Sequence, residues 1–223
     1  GLIGFVPSDG ASMTNNVVRS VHITSTYSGY SANVGGLVGY YGTGTSQNNY
    51  VSAEITASKY AGVIYGYIES SVTVSQSTFI VTINVTNTYG VGAYSGESNK
   101  YLTLTNSLIR INQISGTSNF ARFYTYQCKY NIITIDSSSG SNYYLTADTA
   151  STLADLQSAS TYASWVDFSG IWTMEATLND GIPFLLIHSK YMVPDTWTGT
   201  EHAGEGTHES PYIIDSEISL LSF

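Results

Sequence analysis

The residues best suited to hold a metal ion lie in one acidic segment near the end of the sequence. Two histidines, His202 and His208, are interspersed there with Glu205 and Glu209, and imidazole and carboxylate groups are common ligands of divalent metals. Their spacing, however, matches no closed zinc pattern. We therefore expect no metal site, and the role of the two histidines stays open.

Carboxylates that could act as general acid and base are sparse between positions 1 and 135, where only Asp9, Glu54, Glu69 and Glu97 occur. Glu69 and Glu97 are separated by the same step as Ile55 and Ile83 and are close to Lys100, so they could stack in a repeating fold. Two solvated loop carboxylates are the more common interpretation of such a pair. No Gly-x-Ser-x-Gly motif occurs either. The sequence thus predicts no catalytic residues, no cofactor and no enzymatic activity.

The composition is that of a β-protein. Charged residues make up 10% of the chain, against about 25% in an ordinary soluble domain. Tyrosine occurs 19 times, and short runs of β-branched and aromatic residues alternate with clusters of Gly, Ser and Asn. Such residues favour pleated, half-buried strands, and their abundance argues against disorder. We therefore expect an all-β fold.

The charge is unevenly distributed along the chain, whose formal net charge is −9. Residues 1–135 carry six basic and four acidic side chains, net +2, whereas residues 136–223 carry one basic and twelve acidic ones, net −11. Nucleic-acid surfaces need clustered Lys and Arg, so the scattered cations argue against a nucleic-acid partner. The split indicates two regions of different character.

Several single features bear on processing and location. Cys128 is the only cysteine, which excludes an intrachain disulfide and predicts a buried thiol. No apolar run reaches about 18 residues, so we predict no membrane span. The sequence starts at Gly1 without a signal-like segment, which suggests a mature or excerpted piece. Asn84 opens the one Asn-x-Ser/Thr sequon and is the candidate glycosylation site.

A glycine- and aromatic-rich motif recurs between positions 1 and 136. It is clearest at Gly36–Tyr40, Ala61–Tyr67 and Tyr89–Tyr94, returns at Gly1–Phe5 and is weaker at Asn119–Tyr124. The matching glycines of the three clear copies are Gly36, Gly62 and Gly90, which recur at nearly equal steps. Such self-similarity at a fixed step is typical of repeat architectures.

A strand-like element that contains isoleucine recurs in phase with this motif. Ile55, Ile83 and Ile111 are equally spaced, with a step of about 28 residues that falls in the range of repeat proteins. Ile23 and Ile135 extend the series more loosely. An alternating strand cannot bury its apolar face alone, whereas stacking copies about 4.8 Å apart covers that face and pairs the backbone. We therefore predict a β-solenoid over residues 1–140, with the five isoleucines in one inward ladder.

The alternation of GGLVGY-like corners with such strands resembles the glycine-leucine "GLUG" repeat of bacterial adhesins and of related surface proteins in some anaerobic protists. The resemblance covers about residues 1–136, and Asn119 departs from it because the motif has glycine there. It implies a right-handed parallel β-helix in a secreted or cell-surface protein.

Residues 141–194 differ in composition and are predicted to cap the solenoid. Leu153 and Leu156 fit one face of a short helix, with Asp148 or Ser151 as its cap. Asn179-Asp-Gly181 is a hairpin-type turn signal. The run resembles the closing segment of the same adhesin-like modules, and its bulky side chains predict an aromatic lid over an open coil end. Those side chains belong to Trp165, Phe168, Trp172 and Phe184.

Residues 195–223 form an extended acidic tail that resembles the opening of another module. The tail has few apolar residues before Tyr212, so we do not expect it to fold compactly alone. We expect its strand-like part to add to the first coil of the next copy, or of the next module in one longer chain. The contact residues assigned are Gly1, Leu2, Ile3, Phe5, Tyr212, Ile213, Ile214 and Leu220.

Two functional classes follow from these features. The first is a structural segment of a stalk or filament, because a head-to-tail contact does not close on itself. The second is an adhesin module that binds glycans or a host surface, since Tyr with Ser, Gly and Asn is typical of adaptable contact surfaces. A polysaccharide-cleaving β-helix enzyme is a third class, and it would need the grouped acids that this sequence lacks.

Overall fold

The structure is a computed structural model that describes residues 2–6, 10–26, 33–85, 91–92, 95–98, 102–115, 125–129, 131–136, 152–165 and 167–192. For residues 91–92, 95–98, 125–129, 133 and 135 only the backbone is described. The chain divides into two compact units, Gly1–Met192 and Val193–Phe223. All described residues belong to the first unit.

The described residues are mostly β-strands arranged in parallel sheets, as the composition predicts. The first sheet contains β1 (Ile3–Val6), β5 (Val38–Tyr41), β9 (Tyr65–Ile68) and β13 (Ser95–Ser98). The second contains β2 (Ala11–Thr14), β6 (Gly44–Gln47), β10 (Val72–Ser75), β14 (Leu102–Thr105) and β16 (Thr125–Lys129). The third contains β3 (Val17–Ser25), β7 (Tyr50–Ala57), β11 (Thr78–Val85), β15 (Leu108–Ser115) and β17 (Ile132–Ile135). A short fourth sheet contains β4 (Val34–Gly35), β8 (Ala61–Gly62) and β12 (Val91–Gly92).

The chain enters these sheets in a fixed order. In three successive passages it runs through the first, second, third and fourth sheets and returns to the first; β13 to β15 and then β16 and β17 continue the same order among the described strands. Each described strand therefore lies beside its counterpart from the previous passage. Every pairing within the four sheets is parallel. We call one such passage a layer. Each strand therefore pairs with strands of the neighbouring layers, which is how the apolar faces that no single layer could cover become buried.

The inward-facing side chains of the sheets form one apolar cluster. It includes fully buried Leu37, Ile64 and Phe79 and the stacked pair Tyr41 and Tyr65, whose ring centroids are 4.9 Å apart. The Tyr41 hydroxyl donates to the carbonyl oxygen of Ala11 at 2.7 Å. Burial raises the pKa of Tyr41 to about 12, so its phenol stays neutral at physiological pH and remains a donor.

The isoleucine ladder is formed in part and is interrupted by a bulge. Ile23, Ile55 and Ile83 occupy one row, but Ile83 pairs with Ile114 rather than with Ile111. The register shifts between Val81 and Thr82 because Asn112 is an extra residue in β15. The predicted single ladder is therefore wrong at this step. Ile111 stays fully buried, in the adjacent row, where it pairs with Ile135.

Short helices and one antiparallel strand pair make up the described part of residues 152–192. They are α1 (Leu153–Leu156), α2 (Phe168–Ile171), β18 (Trp172–Thr173), β19 (Phe184–Leu185) and the 3-10 turns Ala159–Tyr162, Asn179–Gly181 and Leu186–Tyr191. The predicted helix is present, but its cap is Thr152, whose hydroxyl accepts from the Asp155 backbone at 3.2 Å. The Asn179–Gly181 turn signal lies in the connection between the two antiparallel strands.

This C-terminal segment packs on the outer face of the third sheet. Successive residues of a strand face opposite sides, so Tyr50, Ile80 and Leu108 point away from the interior cluster. Tyr50 and Ile80 pack with Phe184 and Met192. Leu108 and Ile132 pack with a second set, which contains Leu156, Tyr162, Trp165, Trp172, Ile182 and Leu185. The aromatic residues thus pack against the side of the layers, and the predicted lid over a coil end is wrong. We call the described part of residues 152–192 the lateral cover.

A buried arginine fastens this cover to the third sheet. Arg110 on β15 is only 8% exposed. Its Nε and Nη2 donate to Asp136 Oδ2 at 2.9 and 2.8 Å, and its Nη1 donates to Asp180 Oδ2 at 2.9 Å. Asp136 follows the end strand β17, while Asp180 belongs to the cover. One guanidinium therefore joins two layers and the lateral segment, with the planar donor geometry that only arginine offers.

Candidate functional site

Of the predicted contact residues of the N-terminal segment, Ile3 and Phe5 lie on the first strand of the first sheet and Leu2 directly precedes it. β1 pairs with β5 alone among the described strands, and β2 and β3 occupy the same end of their sheets. We call the outward sides of these three strands the N-terminal edge. Leu2 is 48% exposed and Phe5 is 62% exposed there, and Ile3 is half-buried. Gly1, Tyr212, Ile213, Ile214 and Leu220 lie outside the described residues.

A row of glycines explains how tightly the layers pack in the first sheet. A methyl group added at Gly39 would lie 2.7 Å from the carbonyl oxygen of Gly4 on the neighbouring strand. One added at Gly66 would lie 2.3 Å from the Val34 nitrogen and 2.5 Å from the Gly39 oxygen. These separations are shorter than any ordinary carbon contact, so both positions require glycine. At Gly4 the same methyl group would meet no described atom within 4 Å.

A row of aromatic rings follows the glycines on the same strands. Phe5 stacks on Tyr40 with centroids 4.9 Å apart, and Tyr40 stacks on Tyr67 at 5.0 Å. Slight burial, and then the hydrogen bond to the Glu69 carboxylate, raises the pKa of Tyr40. Mutual stacking covers both faces of Tyr40 and one face of Tyr67. In this row the outer face of Phe5 is therefore the ring face left open at the N-terminal edge.

A buried polar ladder lines the corner between the second and third sheets. In each layer a backbone N–H donates to a side-chain oxygen of the next layer: Asn16 to Asn49 Oδ1 at 3.1 Å, Asn49 to Ser77 Oγ at 3.1 Å, Ser77 to Ser107 Oγ at 3.2 Å, and Ser107 to Asn131 Oδ1 at 3.0 Å. Because every donor points the same way, the ladder is polar from one end to the other. Buried groups satisfied in this manner fix the relative positions of the layers.

The return hydrogen bonds of this corner run in the opposite sense. The residue after each ladder position donates its backbone N–H to the ladder carbonyl of the preceding layer. Tyr50 donates to the Asn16 oxygen at 2.8 Å and Ile132 donates to the Ser107 oxygen at 3.0 Å. The residue before each of the first four ladder positions has a left-handed backbone, with φ of 59° at Asn15 and 55° at Asn48. Asparagine tolerates that conformation better than most residues.

The polar ladder went unrecognised in the sequence, although a signal for it exists. The dipeptides Asn15-Asn16, Asn48-Asn49, Gln76-Ser77 and Asn106-Ser107 each stand directly before a strand of the third sheet. Read singly, such residues suggest a loop. Their recurrence in phase with the strands would have indicated an interior polar row.

A bulge limits the regular part of the N-terminal edge on β3. Val18 pairs with Val51 and Val21 pairs with Ala53, so Arg19 and Ser20 share one position of the partner strand. Ser20 has φ 48°. Bulges on edge strands disturb the row of donors and acceptors that another strand would need. Pairing of β3 with β7 is interrupted at the bulge and resumes at Val21, so the regular stretch of this edge that precedes the bulge ends at Val18.

The candidate glycosylation residue Asn84 lies in β11, between β7 and β15. Its Nδ2 donates to Glu54 Oε1 at 3.3 Å, and its Oδ1 accepts from the Ser115 hydroxyl. Attachment of a glycan would require Nδ2, the atom that donates to Glu54. Glycosylation of Asn84 stays a prediction, and in the folded chain it would replace this hydrogen bond.

Glu69 and Glu97, the two acids that could have stacked, are not in register. Glu97 on β13 pairs with Tyr67, so its neighbour in the adjacent layer is not Glu69. The alternative in which Glu69 and Glu97 stack is therefore excluded, because the step from β9 to β13 is longer than the spacing of the isoleucine series. Lys100, the Cys128 side chain and the segment with His202, Glu205, His208 and Glu209 lie outside what the structure describes. Among the described residues, no three His, Cys, Asp or Glu side chains form a group that could hold a metal.

His188 lies in the joint between the lateral cover and the layers and is 1% exposed. Neither ring nitrogen has a partner at full hydrogen-bond geometry among the described atoms. Burial lowers the pKa of His188 to about 4, an effect that the nearby Asn48 backbone only partly offsets. The folded protein therefore holds this imidazole in its neutral form.

We expect the stability contributed by His188 to be lost in acid. Above pH 6.5 the side chain is neutral in both folded and unfolded chains, so it causes no pH dependence. Between pH 6.5 and about 4 only the unfolded chain binds the proton, and the free energy of unfolding should fall by about 2–3 kcal/mol in total. Urea denaturation of wild type and H188L across this range measures the difference.

No protein-family model, curated protein or solved structure shows significant similarity to the chain. In the part of the chain that the structure describes, no helix is both long and apolar enough to cross a membrane.

Proposed function

We propose that the chain is a structural and adhesive segment of an extracellular surface assembly, built as a right-handed parallel β-solenoid. The observation that carries the proposal is the fixed order in which the chain enters four parallel sheets, each described strand lying beside its counterpart from the previous passage. Parallel crossover connections are right-handed in about 98% of cases, which supports the handedness. The extracellular location and the adhesin-like, GLUG-type character are supported by the sequence motifs.

Within that assembly we propose a head-to-tail contact that forms a stalk or filament. The N-terminal edge leaves apolar side chains such as Leu2 and Phe5 exposed, and strand edges of this kind invite pairing with another chain. The acidic residues 136–223, net −11, and residues 1–135, net +2, are complementary in charge. The strand-like residues 212–214 of the tail would add to the next copy, or the same contact would form within one longer polypeptide.

The proposed assembly predicts that the purified chain forms filaments at neutral pH and that deletion of residues 197–223 leaves soluble monomers. Negative-stain electron microscopy and sedimentation velocity measure both outcomes. Filaments that survive the deletion would exclude the tail from the contact. A full-length chain that stays monomeric at high concentration would contradict the filament itself.

A second candidate function, glycan binding, is favoured by the open outer face of Phe5, since sugar rings stack on aromatic faces. One ring face is a small platform, because stacking covers the faces of Tyr40. A glycan-array signal from monomeric protein would favour this function over the structural one.

A further inference from the structure

We infer that the N-terminal edge binds the far end of a second copy of this chain, with Asn16 as the hydrogen-bond acceptor that sets the polarity. On the first sheet, whose last described strand is β13, Gly4 leaves space for the same incoming layer. The far end is formed by β16 and β17, the last described strands of the second and third sheets. The inference rests on the proposed head-to-tail assembly but assigns the far end, and not residues 212–214, as the surface that meets the N-terminal edge. Filaments that survive deletion of residues 197–223 would support this assignment.

The polarity of the corner ladder makes the two ends complementary. At the far end the ladder reaches Asn131, whose Oδ1 accepts from Ser107. In every earlier layer the backbone N–H and C=O of the ladder residue bond to the following layer. At the far end the corresponding groups are the N–H and C=O of Asn131. At the near end, Asn16 Oδ1 corresponds to the side-chain oxygen that accepts in the other layers, such as Asn49 Oδ1. The Val17 N–H corresponds to the return donor of the other layers, such as the Tyr50 N–H. Stacking two copies would let Asn131 donate to Asn16 Oδ1 and accept from Val17.

The same stacking keeps all strands parallel. Each sheet presents its first strands at one end and its last strands at the other, and every described pairing between layers is parallel. Two like ends would have to meet in antiparallel orientation, which would break the corner ladder. A second copy joined through unlike ends is therefore the occupant that continues both the sheets and the ladder, and such a heterologous contact propagates.

Gly4 and Phe5 show that the first sheet can accept a layer at the spacing used inside the molecule. Gly39 and Gly66 are glycines because a neighbouring layer passes within 3 Å of the place of their missing side chains. Gly4 has the same residue type in the same row with nothing described beside it. The open face of Phe5 likewise continues a stack whose ring centroids are 4.9 and 5.0 Å apart. Both features fit an incoming layer.

The bulge at Arg19 and Ser20 restricts how far the incoming layer can pair. On the third sheet the bulge interrupts pairing between Val18 and Val21, and the ladder position at Asn16 precedes it. The junction would thus consist of β1, β2 and the first residues of β3.

The first test is a bulky substitution at Gly4. G4L adds a side chain where no described atom lies within 4 Å, so the melting temperature of the monomer should stay within about 2 °C of wild type. The side chain would nevertheless occupy the space of the incoming layer, and filaments should be lost in sedimentation and electron microscopy. T73L places the same residue at an exposed site in the middle of the second sheet and should assemble like wild type.

The second test compares two substitutions of Asn16. N16S keeps an oxygen acceptor of the kind that Ser77 and Ser107 supply, whereas N16A removes it, and both lose the Nδ2 group that donates to Asn49. We expect the critical concentration for assembly to rise about tenfold in N16A relative to N16S. Equal critical concentrations, or wild-type filaments from a stably folded G4L, would overturn this inference but leave the filament intact. Absence of filaments from wild type would overturn both.

Discussion

Replacement of Gly66 by alanine is expected to prevent the layers from packing and to cost more than about 4 kcal/mol of folding free energy. The added methyl group would lie 2.3 Å from the Val34 nitrogen and 2.5 Å from the Asn33 carbon and the Gly39 oxygen. All three are backbone atoms, so no side-chain rotation can relieve the overlap. The overlap could be relieved only if β9 moved away from the backbone of residues 33–39, which carries these three atoms.

Urea denaturation followed by circular dichroism measures this loss, and G4A is the matched control. Gly4 occupies the same row on the strand at the edge, where the methyl group is unopposed, so G4A should fold with wild-type stability. A stably folded G66A would show that the spacing between these layers is not set by the glycine row. The comparison separates a steric effect from the general loss of backbone freedom, which is similar at both sites.

Removal of the Arg110 guanidinium is expected to be the second most damaging change, with a loss of about 3 kcal/mol or more. R110M keeps the length of the side chain but leaves Asp136 and Asp180 without the donors that hold them at 2.8 and 2.9 Å. Breaking a buried ion pair from one side usually costs about 3–5 kcal/mol. The lower value applies here because the Asp180 side chain is 65% exposed and is partly solvated.

The location of the damage distinguishes this role from a general contribution to the core. Hydrogen exchange should show loss of protection in residues 152–192 before the interior strands, since Arg110 ties that cover to the third sheet. R110K supplies a charge but cannot reach both carboxylates with parallel donors, and we expect an intermediate loss. Uniform loss of protection in R110M would contradict the fastening role.

The strands could be predicted from the sequence because their apolar residues recur at nearly constant spacing. Ile55, Ile83 and Ile111 are all fully buried, as their equal spacing indicates. The pairing of Ile83 with Ile114 could not be predicted, since a bulge at one residue changes the register without changing the composition of the strand. Spacing alone therefore predicts which side chains face the interior but not which of them are neighbours.

The lateral cover and the polar ladder could not be predicted for different reasons. Trp165 and Trp172 are buried against the third sheet. Their size predicts that they are buried but does not predict which face of which sheet they pack against. The ladder residues Asn49 and Ser77 are polar and stand between strands, so their types favour a loop. Their burial depends on partners in neighbouring layers, and those partners appear only when the register is known.

The polar ladder also makes the layers interchangeable units. Each layer receives one hydrogen bond on a side-chain oxygen and passes one on from its backbone, and asparagine and serine both perform this exchange. Duplication of one layer in the coding sequence would insert one matching donor and one matching acceptor. Deletion of a layer would bring its two neighbouring layers together, and their donor and acceptor would match as well. The length of the chain can thus change by whole layers during evolution while the interior corner stays saturated.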